Sequence, residues 1–190
     1  MAAVAGAGGD VEIRNVIPRH LECISGKLRE MGVEVINHGD MVRVVRKNPL
    51  KRANIKTMPY PGFPTDMQPQ LSTILCLATG TSVVSEGVWE TRYKYVDELM
   101  RMGARVQVDG RIAIIEGVRH LTGATIRAYD LRAGAAMVIA GLCAEGTTTV
   151  EGVNYIERGY EDIVGKLRAL GADIISVSED DPREELRSAI

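Results

Sequence analysis

The chain has 190 residues, of which 45% are hydrophobic and 25% charged, with a formal net charge of −2. That balance belongs to a globular protein able to bury one good core or two small ones. It gives no electrostatic footprint for nucleic acid, and no stretch is apolar for long enough to span a bilayer, so neither nucleic acid nor membrane is expected as a partner.

The opening MAAVAGAGGD lacks the basic start and long apolar run of a signal peptide, and a cytoplasmic location is expected. Residues 1–9 read as the closing turns of a buried helix, so the chain is expected to be part of something longer. VEIRNV (11–16) follows as a strand, then GKLREMGVEV (26–35), an amphipathic helix stopped by Gly32. VEVINHGDMVRVVR (33–46) reads as a hairpin. The basic run from Arg43 to Arg52 has no interleaved aromatics and reads as a solvated strand and loop.

ANIKTMPYP (53–61) leads as a strand into FPTDMQPQLSTILCLATG (63–80), an almost wholly apolar helix closed by Gly80. Thr65 is placed to cap it, Asp66 lies in its first turn, and Pro69 sits early enough to cost little. SVVSEGV (82–88), the amphipathic helix DELMRMGARV (97–106) with Gly103, and the hairpin ARVQVDGRIAIIEGV (104–118) turning at Asp109-Gly110 come next. GATIRAYD (123–130) then leads into a second apolar helix, LRAGAAMVIAGLCAEG, closed by Gly146. TTVEGV (148–153) and GKLRALGADI (165–174), with Gly171, open a third round, and residues 179–190 form an acidic tail.

The order therefore repeats: strand, amphipathic helix, further strands, apolar helix. Units are expected at about 10–80, 81–146 and 147–178, together one domain over 10–178. A helix apolar on every face must be covered on every face, which puts these helices inside and the sheets outside. The class is α/β, or α+β.

Asp66 and Asp130 both stand where an apolar helix begins. Complementing the helix dipole is a sufficient reason, worth about 0.3–1 kcal/mol each. Arg132 lies in the first turn after Asp130, and Arg92 and Arg158 are placed at the starts of amphipathic helices. There a cation opposes the dipole, and guanidinium forks beside helix N-termini suit a phosphate or carboxylate. Pairing with Asp130, Glu90 or Glu157 is the alternative for these arginines. A carboxylate among such cations can accept a proton from a substrate hydroxyl. Cys23, Cys76 and Cys143 share no metal spacing and read as structural thiols; His20, His38 and His120 read as surface residues. Trp89 fits either core or pocket wall. No metal or cofactor is expected.

PGFPTDMQ, DLRAGAAMVIAGLCAEGTT and ERGYEDIVGKLRALGA, in this order and spacing, closely resemble the UDP-N-acetylglucosamine enolpyruvyl transferase (1-carboxyvinyltransferase) family, from about residue 10 to 175. The resemblance implies an inside-out α/β barrel of repeated βαβαββ-type units. It also implies transfer of enolpyruvate from phosphoenolpyruvate to the 3-hydroxyl of UDP-N-acetylglucosamine, an early step of peptidoglycan synthesis. By the same resemblance Asp66 contacts or deprotonates that hydroxyl, and Arg132 and Arg158 bind phosphoenolpyruvate, Arg158 also serving domain closure. Asp130 belongs to the Asp-Leu-Arg motif, Arg92 is a further active-site arginine, and Val88 lies beside the sugar. The family's phosphoenolpyruvate lysine and its mobile cysteine loop have no counterpart here. The chain thus resembles the carboxyl-terminal half, inactive without an amino-terminal half as partner. The transferase acting on shikimate 3-phosphate and a non-catalytic remnant are the alternatives.

Overall fold

The segment without a polar stripe lies at the centre of the protein. In the computed structural model, which describes residues 1–177, the first stretch is α1 (Ala2–Ala7), β1 (Gly9–Ile13), a 3-10 turn at Pro18–Leu21 and α2 (Glu22–Glu30). β2 (Glu34–His38), β3 (Met41–Arg46), β4 (Ile55–Lys56), a 3-10 turn at Thr65–Met67 and α3 (Gln68–Leu75) follow. Next come β5 (Thr81–Ser85), α4 (Val96–Arg101), β6 (Arg105–Asp109) and β7 (Ile112–Glu116). β8 (Leu121–Thr122), β9 (Thr125–Arg127) and α5 (Leu131–Cys143) lead to β10 (Ala144–Glu145), β11 (Thr149–Glu151), α6 (Asn154–Glu157) and α7 (Ile163–Ala169).

Helices α1, α3 and α5 pack on one another. All eight residues of α3 are buried, as is the run Ala133–Ala140 of α5. This is the arrangement that helices apolar on every face require. The sheets lie around them, ordered β1-β3-β2, β4-β5-β7-β6, β9-β11 and β8-β10. Each larger sheet turns one face inward: Val42 and Val44 of β3 are buried, as are Ala113 and Ile115 of β7, while Ile112 and Ile114 are exposed. Among the described residues the sheets remain separate ladders, so the helical core is walled rather than enclosed by one continuous hydrogen-bonded barrel.

The same helix ending is built three times. Gly32, Gly103 and Gly171 have φ of 87°, 89° and 94°, a left-handed conformation open to glycine at little cost. The amide of each bonds three residues back, and the next amide five back: Gly32 to Arg29 and Val33 to Leu28, Gly103 to Met100 and Ala104 to Leu99, Gly171 to Arg168 and Ala172 to Leu167. That is the Schellman pattern, and it satisfies carbonyls that a helix end leaves free.

One local expectation changes. The second hairpin turns at Gly110-Arg111, because Asp109 still pairs with Ile112 in the ladder; Gly110, with φ of 54°, takes the first central position. The basic run is the strand and loop expected, with Lys47, Lys51 and Arg52 exposed, and two of its arginines are engaged. Arg43 grips Asp10 across the sheet at 2.7 Å, and Arg46 donates to the carbonyls of Ala5 and Gly6 at the end of α1. No helix among the described residues is long and apolar enough to cross a membrane. The acidic tail lies outside the described residues.

Candidate active site

Before α3 the chain makes a 3-10 turn, and α3 itself begins without a side-chain cap. The expected cap by Thr65 does not form. Its hydroxyl instead donates to Glu86 Oε2 at 3.0 Å, because the turn carries Thr65 outside the reach of the α3 amides. Asp66 makes no bond to its own helix either. Its Oδ1 accepts from Arg92 Nη2 at 2.9 Å and its Oδ2 from Arg132 Nη2 at 2.8 Å.

One carboxylate is therefore shared by two guanidinium groups from separate elements. Arg92 comes from the loop before α4, with its side chain only 15% exposed. Its Nε is buried with no partner among the described residues, a donor left for a bound group or water. Arg132 comes from the first turn of α5 and is 42% exposed. The hydrogen bond from Arg132, then its charge and those of Arg92, hold Asp66 below the usual aspartate range against an opposing effect of burial. The same bond raises Arg132.

Asp130 behaves as a helix cap. Its Oδ1 accepts from the amides of Arg132 and Ala133, both at 2.8 Å, while the Arg132 guanidinium crosses to Asp66. The cap fixes the first turn from which Arg132 reaches out, so Asp130 acts on the cluster through the backbone.

Arg92 and Arg158 do not sit in first turns. Arg92 precedes α4 by a short loop, and Glu90 pairs with Arg111 at 3.0 Å instead. Arg158 is the residue after α6, and α7 is capped by Asp162. At that end of a helix a cation complements the dipole, so the expected conflict is absent. Arg158 is exposed and makes no hydrogen bond or ion pair with other described residues. Val88 and Trp89 are exposed, their amides bound to Glu86.

The structure thus joins Asp66, Arg92 and Arg132, with Asp130 at their base, and leaves Val88 and Arg158 unbonded to them. With the Asp130 carboxylate turned to backbone amides, the two guanidinium groups face Asp66 and keep spare donors, Arg92 Nε among them, which suits an anion. Burial pushes the Cys76 and Cys143 thiols up to about 12, which removes them as nucleophiles at neutral pH. No group of residues fit to hold a metal occurs among the described residues. Sequence reasoning missed Glu86, whose Glu-Gly-Val setting recurs at Glu151 and read only as the end of a strand.

Comparison with known proteins gives concordant results. The family model described as EPSP synthase (3-phosphoshikimate 1-carboxyvinyltransferase) matches residues 1–167. The UDP-N-acetylglucosamine 1-carboxyvinyltransferase of Clostridium botulinum is 60% identical over 92% of this chain, which covers 42% of that protein. A protein of the same name from Desulfofundulus thermocisternus is 58% identical, again over 92% of this chain and 72% of its own length. Among solved structures, the enolpyruvyl transferase NikO from Streptomyces tendae superposes with a TM-score of 0.81 at 31% identity, over 90% of this chain and 42% of that one. EPSP synthase from Acinetobacter baumannii, at 21% identity and a TM-score of 0.65 over 93% of this chain and 43% of its own, shares the fold.

Proposed function

Since the chain belongs to the EPSP synthase family of 1-carboxyvinyltransferases, we propose that it supplies the carboxyl-terminal part of a UDP-N-acetylglucosamine 1-carboxyvinyltransferase. The chain spans about two fifths of the first curated relatives it matches, and the remaining part of such a protein is the partner it needs. The reaction joins the sugar 3-hydroxyl oxygen to the enolpyruvyl carbon of phosphoenolpyruvate. Phosphate leaves, and the hydroxyl proton is lost. Its setting is cytoplasmic peptidoglycan synthesis, and the division into units at about 10–80, 81–146 and 147–178 belongs to the same reading.

The observation that carries the proposal is the sharing of Asp66 between Arg92 and Arg132. A carboxylate so paired is a weak base, since an effective base needs proton affinity near the working pH. An arriving phosphate or carboxylate competes for the guanidinium forks, for which it is a matched bidentate partner. Drawing Arg132 away from Asp66 raises its proton affinity and frees it for the sugar hydroxyl. The anionic donor thus arms the base that serves the acceptor. Arg158, exposed and with no partner among the described residues, is a further donor for the anion, and exposed Val88 is a contact for the sugar.

The test is phosphate release from phosphoenolpyruvate by this chain mixed with the separately expressed amino-terminal part of the Clostridium botulinum relative. UDP-N-acetylglucosamine and shikimate 3-phosphate are offered as alternative acceptors. Turnover with the nucleotide sugar alone supports the proposal. Turnover with shikimate 3-phosphate alone transfers the chain to the other acceptor, and association without turnover on either favours a non-catalytic remnant.

A further inference from the structure

We infer that Glu86 is a positioning residue that fixes Asp66 relative to Arg92. Only the kinetic part of its test rests on the function proposed above.

Glu86 follows β5 and is 1% exposed. Its Oε1 accepts from the Thr57 hydroxyl at 2.7 Å and from the amides of Val88 at 2.8 Å and Trp89 at 3.0 Å. Its Oε2 accepts from the Thr65 hydroxyl at 3.0 Å. The Thr57 hydroxyl in turn accepts from the Gly87 amide at 2.8 Å. All these donors are neutral, and no cation pairs with Glu86 among the described residues. Three stretches of chain meet at one carboxylate: the end of β4, the residue before Asp66, and the loop that runs on to Arg92.

The protein contains its own control. β9 and β11 make the same parallel crossing as β4 and β5. Arg127 stands opposite Glu151 as Lys56 stands opposite Ser85. The Ala128 amide reaches the Glu151 carbonyl at 2.9 Å, as the Thr57 amide reaches that of Ser85 at 2.9 Å. One residue further on, Ala128 replaces Thr57 and Gly152 replaces Glu86. That crossing forms with neither hydroxyl nor carboxylate, so the unit does not need the clamp in order to fold.

What differs is the lead to the acidic residue. Asp130 comes two residues after Ala128 and is anchored by the amides of its own helix. Asp66 stands at the far end of a longer excursion from Thr57, and among the described residues only arginine side chains hold its carboxylate. Its position is therefore the position of Thr65, which Glu86 holds.

The experiment follows the Asp66 carboxyl by carbon-13 NMR titration in the whole chain. Glu86→Ala and Thr65→Val are compared with Glu86→Gln and with Val42→Ala, a core variant in β3. Loosening Thr65 lengthens the Asp66–Arg contacts, so the Asp66 midpoint should move up toward the ordinary aspartate value in the first two. Glu86→Gln should stay near wild type, because the Thr65 hydroxyl can accept from the amide as readily as it donates. Val42→Ala should lower Tm and leave the midpoint in place. In the complemented enzyme Glu86→Ala should cut kcat by about tenfold to a hundredfold, in line with the cost of roughly 1 Å of misplacement, with a smaller change in KM. An unmoved midpoint in folded Glu86→Ala or Thr65→Val overturns the inference, and Thr65→Val alone decides it if Glu86→Ala fails to fold. If the wild-type mixture transfers nothing, the proposed function fails while the titration still settles the positioning role.

Discussion

Arg132 and Asp66 stand 66 positions apart in the chain and meet at 2.8 Å, each from the entrance of a buried helix. Removing the cation should release the proton affinity it suppresses. Arg132→Met is expected to raise the Asp66 midpoint in a carboxyl NMR titration, and Arg92→Met to raise it less, the bond from Arg132 being the larger influence. Equal shifts would show that the two arginines share the load evenly.

The sign of the pH dependence follows. Asp66 has a folded-state pKa below its ordinary 3.8, so its contribution to stability is complete above that value and is lost as pH falls through the depressed one. Its side chain is 53% exposed, which keeps the contribution within the ~0–1 kcal/mol of solvent-screened pairs. Urea unfolding of wild type and Asp66→Asn across pH 2 to 6 should show a stability difference that shrinks on the acid side only. A difference independent of pH would disconnect Asp66 from the arginines.

Asp130→Ala should cost about 1 kcal/mol, the ordinary loss of a helix cap, and Asp130→Asn much less. If Asp130→Asn also keeps phosphoenolpyruvate affinity in the complemented enzyme, capping accounts for the residue. A large loss of affinity with stability intact would give its charge a direct role at the anion.

Two glycines test the core against open space. A methyl group at Gly6 in α1 would lie 2.6 Å from Cys143 Sγ and 2.9 Å from Ile74 Cγ2, so Gly6→Ala should destabilise by about 1–3 kcal/mol through overpacking. At Gly26 in α2 nothing lies within 4 Å, and Gly26→Ala should stabilise by up to about 1 kcal/mol from helix propensity. Thermal denaturation of both variants measures the contrast; a neutral Gly6→Ala would mean the central helices yield.

Arg158→Ala should leave stability within about 0.5 kcal/mol, as for an exposed surface side chain, while weakening phosphoenolpyruvate binding. Isothermal titration of the complemented enzyme separates the two effects. Unchanged affinity would remove Arg158 from the anion site.

Much of this architecture was legible in the sequence. Helices without a polar face announce their own burial, and glycines after amphipathic runs announce their caps, so the burial of α3 and α5 and the endings at Gly32, Gly103 and Gly171 stand where expected. Gly80 and Gly146 do not close the apolar helices: α3 ends at Leu75 and α5 at Cys143, short of both glycines. Asp130 reads as a cap because its partners are its near neighbours in sequence. The pairing of Asp66 with Arg132 joins two distant elements, and no local rule contains it. Thr65 misled because N-cap preference assumes an α-helix starts at once, whereas a 3-10 turn intervenes and a buried acceptor draws the hydroxyl elsewhere. Arg158 misled because the four-residue α6 is too short to carry a periodic signal. Glu86 stayed hidden because its sequence echo, Glu151, is one residue out of step with its structural equivalent, Gly152.

The contact between α3 and α5 reaches further than the core it fills. The two helices carry the opposed charges at their mouths, so their separation is also the span across which Asp66 and Arg132 hold each other. The buried side chains of the two helices set that gap. Changes there would surface as altered grip on an anion before any loss of fold, and sequence drift in the dry interior can retune the wet end of the molecule.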